Sequence, residues 1–257
     1  MTARWRLALL ACAFIVLAIA AAPVILGMPA FGDPEALYGQ TVDALAPALR
    51  NVSNMVAAVN FDVRAIDTLG EESMFLCAVT ATVILLRGRR GEDMGEHAGR
   101  VPGHAWVERS DATVLVCRLF ATVVFLFGVY VVLHGTVTPG GGFQGGAIAA
   151  SSFVLLYLGE GYRVWRRMLH SEVLVALEGL GALVFALAAI VPLALGHPAL
   201  ENLVPLGTRK DLYSGGAMVV INAAVGVAVI GGFGVLLLEF MEETRAPKGA
   251  TPDEEDP

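Results

Sequence analysis

The chain has 257 residues, of which 56% are hydrophobic and only 16% charged, with a mean hydropathy of +0.68. A soluble domain of this length needs far more polar surface, so the composition points to an integral membrane protein. The formal net charge is −7, and no basic patch is interleaved with aromatics, which excludes a nucleic-acid partner.

A spanning helix needs ~20 mainly apolar residues. The first such run covers residues 7–27. Arg4 and Arg6 precede it and Ala20, Ala21 and Ala22 lie within it, the outline of a cleavable signal peptide. Pro23 directly after the small residues disfavours cleavage and the run continues past it, so a retained helix is expected. Residues 31–67 are expected outside the membrane or partly in it. The uncharged run 74–86 is too short to cross alone. It reaches span length if its helix begins near Thr68, which places Glu71 and Glu72 in the first turn or so.

Residues 87–111 read as a solvated, arginine-rich linker between two modules, with His97 and His104 in it. Four further runs follow at 114–133, 143–158, 173–195 and 215–238. From Glu239 onward, seven acids stand against Arg245 and Lys248, and this tail is expected to be disordered. The predicted fold is therefore all-α, with about six transmembrane helices. Placing the N-terminus in the cytoplasm puts thirteen Lys and Arg residues on that side and four outside. The positive-inside bias then sets both termini in the cytoplasm of a multi-pass cell-membrane protein, with the lipid bilayer as its surroundings.

The stretch HGTVTPGGGFQGG, residues 134–146, lies between the third and fourth spans, at the outer face in that orientation. It formally contains G-x-G-x-x-G, but that fingerprint binds dinucleotides only after a β-strand, and here it follows a membrane helix. Two readings remain. In one, Pro139 starts the fourth helix, Thr138 caps it, and pairs such as Gly141/Gly145 and Gly142/Gly146 admit a close neighbour, expected in another subunit. In the other, Gly140, Gly141, Gly142, Phe143, Gly145 and Gly146 leave backbone groups free to line an ion path.

The segment VVLHGTVTPGGGFQGGAIAAS, residues 131–151, resembles the signature of the B subunit of multisubunit Na+/H+ antiporters of the Mrp or Mnh type. The segment DLYSGGAMVVINAAVGVAVIGGF, residues 211–233, resembles that family's last span, with Ser214, Gly215, Gly216, Asn222, Val225 and Gly226 at the matching positions. Upstream, VNFDVRAIDTLGEESMFL, residues 59–76, is similar to the end of the antiporter A subunit and to a small E subunit of membrane-bound hydrogenases. Asp67 to Glu71 fit that pattern, whereas Phe61, Asp62, Val63 and Arg64 depart from its order. The resemblance implies an E-like module over 1–90, a linker over 91–111, a four-helix B-like module over 112–240 and a tail over 241–257. It implies a subunit of a Na+/H+ antiporter, with other antiporter-type membrane subunits as partners and Na+ and H+ as cargo. The alternative is an accessory subunit of a redox-driven ion pump. The resemblance also implies that pumping needs long antiporter bundles with lysine–glutamate chains; lysine is absent from every span here, so the chain is not expected to pump by itself.

Ionisable groups in a bilayer are costly and suspected of function. Glu71, the acid of the resembling motif, is the first candidate for proton and cation exchange. Asp67 stands four residues before it on the same helix face. Asp62 and Arg64 are expected to pair with each other or with Glu71. Glu72, outside the motif, is expected to be exposed. Glu178 has three options: snorkelling, pairing with an arginine from 163–167, or lining a proton path. Asn222, mid-span, is expected to make an interhelical hydrogen bond, with ion ligation the lesser reading. His134, at a span end, is a hydrogen-bonded interface residue or a proton relay. Cys12, Cys77 and Cys117 have no CxxC spacing and read as small apolar side chains packed between helices. No His, Cys or carboxylate set has metal-ligand spacing, no cofactor is implied, and no nucleophile–base pair suggests an enzyme.

Overall fold

The computed structural model describes residues 3–28, 37–93 and 109–243. The residues 94–108 of the linker and the tail from 244 onward lie outside them. Six of the described helices are long and apolar enough to cross a membrane. The chain divides into two units, Met1–Thr41 and Val42–Pro257.

The first unit holds helix α1 (Ala3–Leu26), apolar on every side, with Pro23 in its last turn. Helix α2 (Leu37–Arg50) begins there and ends in the second unit. In the second unit Val42 and Ala46, one turn apart, are buried. A short helix α3 (Met55–Ala58) and a π-helical turn (Val59–Val63) follow. The spans are then α4 (Ala65–Asp93), α5 (Asp111–Leu133), α6 (Gly142–Met168), α7 (Ser171–Ala194) and α8 (Ala217–Glu243).

Helix α8 is the hub. Sixty-one per cent of its apolar stretch is buried, against 11% for α4 and for α5, so α8 is surrounded by protein while the other two present most of their apolar surface outward. Small residues make this close approach possible. A Cβ on Gly142 of α6 would stand 2.1 Å from the Asn222 carbonyl of α8, and one on Gly146 would stand 2.8 Å from the Gly226 carbonyl. Gly145 faces the other way, onto Gly128 of α5. The close neighbours of these glycines thus lie in the same chain, which corrects the expectation of another subunit. Gly141 is under less constraint, its nearest contact being Gln144 Oε1 at 3.1 Å.

The helix starts differ from expectation in two places. Helix α4 begins at Ala65, earlier than Thr68, so Glu71 and Glu72 lie about two turns inside it. Helix α6 begins at Gly142 and not at Pro139. Gly140 takes φ +132°, which no helix admits, so a helix cannot run through it from Pro139. Thr138 does not cap α6; its Oγ1 donates back to the His134 carbonyl at 3.3 Å. At its far end α6 breaks at Gly161 (φ 74°). The chain turns there so that the indole of Trp165 is buried and donates to the Phe153 carbonyl at 2.7 Å. Cys77 is exposed and Cys117 partly so; neither is a fully packed core residue.

Candidate functional site

The irregular end of the bundle gathers around the α5–α6 turn. A helix leaves its last carbonyls and first amides without partners, and in an apolar medium each must find one. Asn222, in the second turn of α8 and so nearer its end than its middle, serves both. Its Nδ2 donates to the Val132 carbonyl in the last turn of α5 at 2.6 Å, and its Oδ1 accepts the Gly142 amide at 2.7 Å. Helix α6 has no side-chain cap of its own; Asn222 caps it from another helix.

Asn54 closes the turn from the opposite side. Its Nδ2 lies 2.7, 3.0 and 3.2 Å from the carbonyls of Gly135, Thr138 and Gly140. Its Oδ1 accepts from the Val56 amide and so caps α3. The amides of Ser53 and Asn54 both donate to the Thr136 carbonyl at 3.1 Å, and Thr136 and Ser214 share a buried hydroxyl pair at 3.2 Å. Asn202 ties the start of α8, donating to the Gly215 carbonyl and accepting from Ala217. The glycine turn is therefore sealed by side chains from α8 and from the segment before α3.

Beside this turn lies a cavity of about 430 Å³. Gly140, Gly141, Phe143 and Gln144 form one wall, and Asn60, Phe61, Thr68, Glu71, Glu72 and Phe75 form another. The two glutamates differ. Ala65, Thr68, Glu72 and Val79, spaced as one helical stripe, are all buried, whereas Glu71 is turned about 100° away and exposed. Glu72 is only 6% exposed. This corrects the expectation of a solvated Glu72: position 72 lies in register with Ala65, Thr68 and Val79 on the face that packs in the bundle.

Glu178 on α7 is also buried, 4% exposed, and its Oε1 has no hydrogen-bond partner; Glu239 on α8 is a third buried carboxylate. No arginine from 163–167 pairs with it among the described residues; Arg166 donates to the Leu169 carbonyl at 3.1 Å. Glu178 and Glu72 lie within electrostatic reach of each other. A Cβ on Gly232 of α8 would meet the Phe75 ring at 2.5 Å and Glu178 Oε1 at 3.1 Å. Phe75, Phe143 and Phe233 pack around this point with centroids 5.3 to 6.1 Å apart, Phe143 edge to face with each of the other two and Phe75 tilted against Phe233.

The remaining candidates stand apart. Asp62 pairs with Arg50 at 2.6 Å, and Arg64 pairs with Asp67 at 2.5 Å. Neither Asp62 nor Arg64 pairs with the other or with Glu71, because the π-helical turn points them to different neighbours. Imidazole Nδ1 of His134 lies 2.9 Å from the Tyr130 carbonyl, with its ring stacked on Tyr130. Between α5 and α6, Arg118 is paired with Glu160. No group of three or more His, Cys, Asp or Glu side chains that could hold a metal ion occurs among the described residues. Asn54 and Asn202 have no place in the sequence reading, and Glu72 enters it only as an exposed residue. An Asn directly before an apolar run is an N-cap signal that marks Asn54; its long-range bonds to the turn have no local signal.

Six helices long and apolar enough to span a membrane, and a glycine-opened helix start sealed by asparagines, define a multi-pass membrane protein. Residues 112–235 match the family described as a domain related to the MnhB subunit of Na+/H+ antiporter. An uncharacterized protein of Methanocaldococcus jannaschii is 30% identical over 198 residues, which is 70% of this chain and 74% of that protein. The mnhB2 protein of Staphylococcus aureus (strain Newman), named for an antiporter subunit, is 35% identical over 87 residues, and the match spans 61% of its length. The chain belongs to the MnhB-related family. Among solved structures, a chain of the membrane-bound sulfane sulfur reductase, an archaeal respiratory membrane complex, aligns with a TM-score of 0.66 and 25% identity over 92% of this chain and 98% of that one. A chain of the Mrp complex from Dietzia sp. DQ12-45-1b shares the fold, with a TM-score of 0.65 and 20% identity over 98% of this chain and 27% of that one.

Proposed function

We propose that the chain is a membrane subunit of a multisubunit monovalent-cation/proton antiporter, with Na+ as the cation. It contributes to assembly and forms one wall of an ion path. The observation that carries this reading is the MnhB-type glycine turn standing beside a cavity that holds Glu71 and Glu72. The exposed apolar faces of α4 and α5 suit the bilayer and other antiporter-type membrane subunits. The segment up to about residue 90 acts as an E-like module and residues 112–240 as the B-like module, with both chain ends in the cytoplasm. The chain performs no covalent chemistry in this reading.

A second reading has one specific support. The likeness to the sulfane sulfur reductase chain is end to end, which suits an accessory subunit of a redox-driven complex. Gentle-detergent purification of the tagged chain, with partners identified by mass spectrometry, separates the two. Large antiporter-type chains without metal-cluster proteins establish the antiporter. Iron–sulfur or nickel subunits establish the redox complex, and the chain alone overturns both.

A further inference from the structure

Glu178 is a buried charge that neither the glycine turn nor the cavity wall uses. It has no hydrogen bond on Oε1 and is 4% exposed. A carboxylate left so is expensive unless something reaches it. The question is what separates it from the cavity.

The answer lies in two adjacent glycines of α8. A Cβ on Gly231 would stand 2.5 Å from the Leu174 carbonyl and from the Glu178 amide, so its absence lets α7 pack against α8 at this level. The absence of a side chain on Gly232 leaves one space that the Phe75 ring edge and Glu178 Oε1 both enter. Phe75 also lines the cavity, three residues after Glu72 on the same face of α4. The ring thus borders both the cavity and the space that the Glu178 carboxylate enters. Facing Glu178 here, α4 presents Phe75 and the carboxylate of Glu72, and α8 presents Gly231 and Gly232.

We infer that Glu178 is an inner proton-accepting station of the ion path, reached from the cavity past Phe75, which acts as the gate. The cargo at this station is a proton and not a metal cation. Glu72 and Glu178 are two carboxylates, and no group of three or more His, Cys, Asp or Glu side chains that could replace the hydration shell of a hard cation occurs among the described residues, whereas one oxygen is enough to accept a proton. The gate is aromatic and unbonded, so a change of side-chain rotamer opens it without breaking a hydrogen bond. Gly232 is a positioning residue: any side chain there fills the space into which the carboxylate and the ring converge. The proton role rests on the transport reading above; the gate does not.

Two measurements on the assembled complex test this. In a background with Cys12, Cys77 and Cys117 replaced by alanine, Glu178→Cys is treated with a small, water-soluble, cationic methanethiosulfonate. Expected is negligible labelling with Phe75 present, labelling at least tenfold faster with Phe75→Ala, and none with Phe75→Trp. Glu72→Cys, in the cavity, labels regardless of residue 75. Equal labelling of Glu178→Cys with Phe75 and with Phe75→Ala, or none in either, overturns the gate. In sealed vesicles, Phe75→Ala is expected to speed the decay of an imposed pH gradient several-fold, and Phe75→Ala combined with Glu178→Gln to restore the wild-type rate. A leak that persists in the double variant overturns Glu178 as the station. Absence of Na+-driven exchange in the wild-type complex overturns the antiporter reading and leaves the labelling result standing.

Discussion

Asn222 on α8 holds the last turn of α5 and the first amide of α6 with one side-chain amide, 2.6 Å to the Val132 carbonyl and 2.7 Å from the Gly142 nitrogen. An amide is the group that suits this place, because it donates at one end and accepts at the other. The glycine turn is therefore stabilised from a helix some eighty residues further along the chain.

Asn222→Asp keeps the acceptor for Gly142 but turns an oxygen toward the Val132 carbonyl. Asn222→Leu removes both bonds. Leaving a buried donor or acceptor without a partner costs about 1–3 kcal/mol. Both variants are expected to lower the detergent-solubilised stability of the chain, Asn222→Leu by about 2 kcal/mol or more. Thermal unfolding of the purified protein reads this; an unchanged midpoint in both would remove Asn222 as the organising bond.

Gly142→Ala places a methyl 2.1 Å from the Asn222 carbonyl. Overpacking typically costs about 1–3 kcal/mol, and here the obstacle is backbone. The variant is expected to separate α6 from α8 and to reduce recovery of the assembled complex at least fivefold. Gly70→Ala is the control, since nothing lies within 4 Å of its Cβ position. It is expected to be neutral or to gain up to about 1 kcal/mol from helix propensity. Co-purification yields that are the same for both variants would contradict the packing argument.

Glu72→Gln and Glu71→Gln test which acid of the cavity matters for transport. The buried Glu72 is expected to dominate: its replacement lowers Na+-dependent proton exchange at least tenfold in vesicles holding the complete complex. Glu71→Gln, at an exposed position, is expected to lower it by less. The reverse order would return the role to the motif position.

Asn54→Ala removes the cap of α3 and the donor to three carbonyls of the turn. Caps alone are worth about 1 kcal/mol. Amide hydrogen exchange over residues 134–142 is expected to rise, while that of α7 stays unchanged. Protection of the turn identical to wild type would show that α8 alone holds it.

The spans were legible because their apolar runs are long, and the glycine turn because its composition is unusual between two such runs. The rotation of α4 was harder. Counting only the uncharged run 74–86 treats Glu71 and Glu72 as a boundary, and boundaries carry no information about faces. The stripe of Ala65, Thr68, Glu72 and Val79 carries it, but it becomes visible only once the helix is allowed to start before Thr68. The start of α6 misled in a different way. Pro139 is a good first helical residue by local rules, and the conformation of Gly140 overrules it. The interhelical bond of Asn222 was legible as a polar side chain inside an apolar run; which turn carbonyl and amide it meets, and the bonds of Asn54, are tertiary and have no local signature.

Helix α8, the hub of the bundle, is made after all the spans it packs against. During synthesis α4 to α7 therefore enter the bilayer before their common partner exists. For that interval the glycine faces of α6 and the buried acids of α4 and α7 are covered by lipid or by an insertion factor, and the amide of Gly142 lacks its acceptor. Arrival of α8 is then the committing step of biogenesis. A ribosome stalled before residue 217 should leave a chain that quality-control proteases recognise, however complete its earlier helices are.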